Sequence, residues 1–167
     1  MSSIPEDLSI FLIRELEAFQ REIALFPDDD SVWRTVPGIT NSAGNLALHV
    51  SGNLRHYVGK VLGGRDYVRD RPTEFGRSAG TRRDVTEEIG SAIRVIREVL
   101  PGVPEDRLAA MFPEPVMGVQ MRTKRLLIQL CVHLAYHLGQ AGYLRRALTG
   151  QNQTSRALPL DPLRSDG

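Results

Sequence analysis

A chain of 167 residues with 41% hydrophobic and 25% charged positions has the size and make-up of one compact soluble domain. Its 21 Lys and Arg against 20 Asp and Glu leave a net charge of +1, no global field for drawing in nucleic acid or an anionic membrane, so any binding must come from a local site. The single cysteine, Cys131, excludes an internal disulfide framework and any CxxC redox or zinc motif, which suits a reducing compartment.

The opening MSSIPEDLS carries early acidic residues and no basic stretch leading into an apolar one, so no signal peptide is expected. No apolar run approaches the roughly 20 residues that cross a bilayer, and the expectation is a cytoplasmic protein with no membrane partner. A first helix follows Pro5, with Glu6 and Asp7 well placed at its start and Leu8, Leu12, Leu16, Phe19 and Ile23 at helical spacing up to FPDDD. A second begins after TNSAG, where Asn41 or Ser42 can cap it, and stops at Gly63 and Gly64. Its apolar positions are Leu46, Val50, Leu54, Tyr57, Val58 and Val61.

Residues 63–80 hold Gly, Pro and mixed charges without a sustained period and read as a long connection, a functional loop or a topological crossover. Thr81 and Asp84 open a third helix with Val85, Ile89, Ile93, Ile96 and Leu100 as its buried row, ended by PGVPED. After MFPEPVMG, a fourth runs from about Arg122 to Thr149 and ends at Gly150. The reading is one all-α four-helix bundle domain over 1–150 and a flexible tail over 151–167, with the long connection letting the second and third helices lie parallel.

The stretch CVHLAYHLGQ raises the functional question. His133 and His137 are one turn apart on one helical face, with Cβ atoms about 5–6 Å apart, close enough to share a metal ion or, more plainly, to be two hydrogen-bonded core histidines. With Gln129 and Gln140 they form a polar stripe among leucines, and Asn45, His49, Asn53 and His56 form another on the second helix. Buried polar groups without partners cost about 1–3 kcal/mol each, so two facing stripes need water, a ligand or a metal between them.

Three histidines leave open positions on a zinc-like ion, as in a catalytic site. His49 and His56 lie roughly 10 Å apart along the helix axis and do not serve one ion together; Arg55 and Lys60 mark His56 as a rim position, and His49 is the choice. Cys131 sits about 200° round the helix from His133 and reads as a core residue. No glutamate follows His133, which argues against an HExxH metalloprotease, and inward Glu-x-x-His motifs of a di-iron carboxylate bundle are missing.

Four pieces, GNLALHVSGNLRHYVG, RDRPTEF, TRRDVTEEI and VHLAYHLGQAGYLRR, resemble the DinB-like (YfiT-like) superfamily of metal-dependent proteins, the last being the most specific. The resemblance implies an up-down-down-up bundle, often a homodimer, with a divalent metal, zinc or nickel, on His49, His133 and His137. It makes Arg71, Glu74 and Phe75 candidates for the pocket wall beside Asn45, Asn53, Gln129 and Gln140. It also implies a metal-dependent thiol S-transferase or hydrolase acting on a small molecule with a low-molecular-weight thiol as cosubstrate, and no catalytic residue is assigned. The alternative is a non-catalytic, stress-related metal-binding or dimerisation module. A nucleic-acid role finds no support in the balanced charge and 6% aromatic content. The arginines of the connection, Arg65, Arg69, Arg71, Arg77, Arg82 and Arg83, can bind an acidic group, but Asp66, Asp70, Glu74 and Asp84 among them favour a solvated face.

Overall fold

The computed structural model describes residues 3–164. Its regular structure is helical, as expected, and β pairing among the described residues is limited to isolated bridges joining Met111 to Arg122 and Val116 to Val119. The helices are α1 (Ile4–Ala24), α2 (Ala43–Leu54), α3 (Arg71–Gly76), α4 (Arg82–Val99), α5 (Glu105–Ala109) and α6 (Thr123–Thr149). Reciprocal capping boxes, Ser3 with Glu6, Ser42 with Asn45 and Thr81 with Asp84, start α1, α2 and α4 by satisfying backbone donors that a helix leaves unpaired. Gly150, at φ 68°, closes α6 in the left-handed conformation that favours glycine.

From Arg55 to Leu62 the α2 helix continues as a π-helix, a wider winding in which the Gly63 N–H reaches back to the Val58 carbonyl. Close approach explains why glycines recur there: an added Cβ on Gly59 would stand 2.9 Å from a Val95 methyl.

Each of α1 and α2 packs against both α4 and α6. Arg82 donates to the Phe26 carbonyl and Gln20 to the Thr86 carbonyl, so the end of α1 meets the start of α4. Arg55 pairs with Glu88 while Gly59 touches Val95, so α2 and α4 run the same way. The connection between them passes from Arg65, paired with Glu98, to Arg77, paired with Asp84, and lays α3 on α2. The core joins Leu12, Leu16, Phe19 and Ile23 of α1 to Leu54, Val58, Ile89, Ile96, Leu126, Leu127 and Leu134, all fully buried. Each such side chain contributes about 1.5–3 kcal/mol relative to exposure.

One charged pair crosses this core: Arg145 of α6 bonds Glu22 of α1 with both side chains buried. The stretch after Gly150 lies along α1 and α6. Arg21 Nε donates to the Ser155 carbonyl at 2.9 Å and Arg145 Nη2 to the Gln153 carbonyl at 2.5 Å. Residues 165–167 of the expected tail lie outside the described residues.

Candidate metal centre

α2 and α6 bring three histidines together. His49 Nε2 lies 3.2 Å from His133 Nε2, which lies 3.0 Å from His137 Nε2, and the three ligand atoms all fall within 4.8 Å of one another. Metal–nitrogen bonds of about 2.0–2.1 Å require nitrogens about 3.3 Å apart at tetrahedral angles and about 2.9 Å apart at right angles, so the 3.2 and 3.0 Å separations are those of a ligand edge. The cluster fits a divalent ion.

The opposite ring nitrogens of His49 and His137 are held by acceptors. His49 Nδ1 lies 3.0 Å from Glu74 Oε2, and His137 Nδ1 lies 2.7 Å from Gln140 Oε1. A proton on each Nδ1 leaves the Nε2 lone pairs facing inward, the usual way a protein orients histidine ligands. Burial first, and then the neighbouring His137 and His49, lower the His133 pKa to about 4. Burial also lowers that of His137, against a raising effect of Gln140. Both rings are therefore neutral near pH 7, the state a ligand needs.

Glu74 is fixed in turn. Arg69 grips its carboxylate with two bonds, Nε to Oε1 at 2.6 Å and Nη2 to Oε2 at 2.7 Å. Burial acts to raise the Glu74 carboxyl, and the bonds from Arg69 and His49 outweigh it, so the group sits below the usual glutamate range and stays ionised. Gly52 makes room: a Cβ there would stand 2.0 Å from Glu74 Oε1.

Of the candidates from sequence, Phe75 packs its ring 4.7 Å from that of His49, and Arg71 stacks on Phe75 at 5.4 Å. Asn53 reaches both His49 Nε2, at 3.3 Å, and His133 Nδ1, at 3.4 Å. Asn45 instead completes the capping box of α2, its Oδ1 accepting from the Ser42 N–H, and its Nδ2 donates to the carbonyls of Glu74 and Arg77, which ties α3 to α2. His56 is turned away, with Nε2 bonded to Glu114 at 2.6 Å. Cys131 packs against the core, and burial, followed by the charge of Glu15, pushes its thiol up to about 11. The bidentate role of Arg69 leaves no mark in the sequence, because its bond to a residue five positions on follows no helical period. Beside the cluster, a cavity of about 340 Å³ is lined by His49, Asn53, Arg69, Arg71, Gln129 and His133, with Leu126, Leu130, Tyr57, Val116 and Met117 as its apolar wall.

The family model described as mycothiol-S-transferase (MST) matches residues 7–150. The chain belongs to the mycothiol-S-transferase family. This is a DinB/YfiT-like, metal-dependent family, so the resemblance read from the four sequence pieces holds. No curated protein matches the chain significantly. Among solved structures it is similar to a conserved protein from Enterococcus faecalis, with a TM-score of 0.75 and 15% identity over 90% of this chain and 100% of that one. At that identity the likeness shows the fold alone.

Proposed function

We propose that this family member is a metal-dependent thiol S-transferase whose divalent ion, zinc or nickel, is held by Nε2 of His49, His133 and His137, and whose thiol is mycothiol or a close analogue. The observation that carries the reading is the approach of His133 Nε2 to Nε2 of both His49 and His137 at ligand-edge distances, while the Nδ1 atoms of His49 and His137 meet Glu74 and Gln140. When bound, such an ion lowers the pKa of a thiol it contacts, so that the thiolate nucleophile forms near neutral pH.

The chain's own groups position and shield. Glu74 keeps the proton of His49 on Nδ1, and Arg69 keeps Glu74 ionised and in place. Arg71, whose guanidinium stacks on Phe75 and has no ion pair among the described residues, and Gln129 offer hydrogen bonds to the polar body of the thiol. The buried Leu126 and Leu130 exclude water on the other side, with Val116 and the exposed Met117 at its edge. The cavity lining contains no carboxylate, so the thiol proton is released to solvent rather than to a general base. A reducing, cytoplasmic setting suits this chemistry.

The test is transfer of mycothiol to a fluorogenic electrophile by zinc- or nickel-loaded protein. The reading expects turnover that falls at least a hundredfold in His133→Ala; equal turnover by the wild type and this variant would contradict it.

A second reading, a non-catalytic dimerisation module, is favoured by the exposed apolar residues Ile4, Ile10 and Phe11 of α1 and Ile128, Val132 and Tyr136 of α6. A homodimer through these faces is compatible with both readings. A dimer in sedimentation that carries no metal and turns over no thiol would favour the second.

A further inference from the structure

The three-histidine cluster has a second cavity beside it, and its character is opposite to the first. α2 and α6 run antiparallel: Asn53 meets His133, His49 meets His133 and His137, and Leu46 shares a cavity with Gln140 and Leu144. The arginine-bearing cavity therefore lies on the Asn53 side of the cluster, and the other lies on the Leu46 side, between residues 36–41 and the C-terminal half of α6.

This second cavity is about 500 Å³, within the range of small-molecule sites, and none of its lining residues carries a charge. Val36, Ile39, Leu46, Leu144 and Ala147 form its apolar surface, with Tyr143 as its largest ring. None of the three histidines lines it, and it neighbours the cluster through two residues of its wall. Gln140, in its wall, accepts the His137 Nδ1 hydrogen bond, and Leu46 precedes His49 by one helical turn. The segment over it is irregular and turns at Gly38, φ 85°, a conformation that favours glycine.

We infer that this cavity seats the second substrate of the transfer, an apolar electrophile carrying a leaving group, while the thiol occupies the arginine-bearing cavity; the inference rests on the transferase reading. For an alkyl bromide, the thiolate sulfur forms a bond to the carbon bearing bromine. The carbon–bromine bond breaks with its electron pair leaving on bromide, and the thiol proton passes to solvent. No oxidant or reductant is needed.

Two measurements separate the inference from the reading beneath it. Titration of metal-loaded protein with unreactive 1-hexanol, followed by amide NMR, should shift Gly38, Ile39 and Ala147, and filling the cavity with Ala147→Phe should weaken hexanol binding at least tenfold. Tyr143→Ala, at a position 78% exposed and so safe for folding, should weaken it severalfold. Shifts confined to residues of the arginine-bearing cavity, or changes that track only dilution of a dimer, would overturn the assignment. With mycothiol and a series from ethyl to hexyl bromide, kcat/KM should rise about fourfold per methylene, and Ala147→Phe should flatten that gradient. A gradient that persists in the variant also overturns it. Absence of turnover with every bromide counts against the transferase reading, while the hexanol titration still decides whether the cavity takes an apolar ligand.

Discussion

The Glu74 carboxylate faces two demands, an acceptor for His49 Nδ1 and an anion for Arg69, and it meets both from a buried position. Glu74→Gln keeps the shape and removes the charge, so it should weaken metal binding by about 10–100-fold, as removal of a ligand-orienting partner typically does. A chelator-competition titration measures this, and His56→Ala, which leaves the cluster untouched, is the control expected to match the wild type. The depressed pKa values of His133 and His137 also predict a pH dependence. In the unfolded chain these rings take up protons near pH 6.5, whereas folded His133 resists until about 4, so the unfolded state binds more protons across that window. The stability of metal-free protein should be fully present above about pH 6.5 and fall as the pH drops towards 4. Thermal melts at pH 7.5, 6 and 5 check the direction, and His133→Ala should reduce the slope. At this scale the histidines were legible because HxxxH and the stripe on the second helix obey the α-helical period. The Glu74 pairing with Arg69 was not, because a loop contact leaves no periodic trace.

Between elements, the decisive contact is α3 on α2. The carboxylate of Glu74 enters the site only because position 52 has no side chain, and Gly52→Ala would force it out. The expected outcome is about 1–3 kcal/mol of lost stability, the usual effect of overpacking, together with weakened metal binding; denaturant unfolding and the chelator titration read the two effects. Unaltered metal affinity in that variant would show that Glu74 does not hold His49 in its ligand orientation. His56, about two helical turns beyond His49 and just inside the wider winding that starts at Arg55, bonds Glu114 and not the cluster. Tyr57, Val58 and Val61 suit either winding, so the sequence carried no sign of the change. The short α3 did have signals in Asp70, which caps it, and Pro72 in its first turn, but six residues are too few to display a period.

For the whole molecule, the long helices were readable from their apolar rows and their Ser and Thr caps, and the bundle's main polar tie was not. Arg145 and Glu22 are 123 positions apart, and nothing local marks them as partners. Their burial makes the pair asymmetric in effect. Arg145→Ala strands a buried carboxylate and should cost about 3–5 kcal/mol, whereas replacing both with leucine should cost much less. Denaturant midpoints of the two variants decide this, and equal losses would mean that Glu22 finds solvent or another partner. The pair lies away from the three histidines, so its removal should lower stability without changing metal stoichiometry.

The central claim is that His49, His133 and His137 hold one divalent ion. Elemental analysis of protein purified without chelator and incubated with zinc or nickel, on the wild type beside His49→Ala and His137→Ala, tests it most directly. One metal per chain in the wild type and its loss in both variants are the expected results. A metal-free wild type, or variants that retain full stoichiometry, would contradict it.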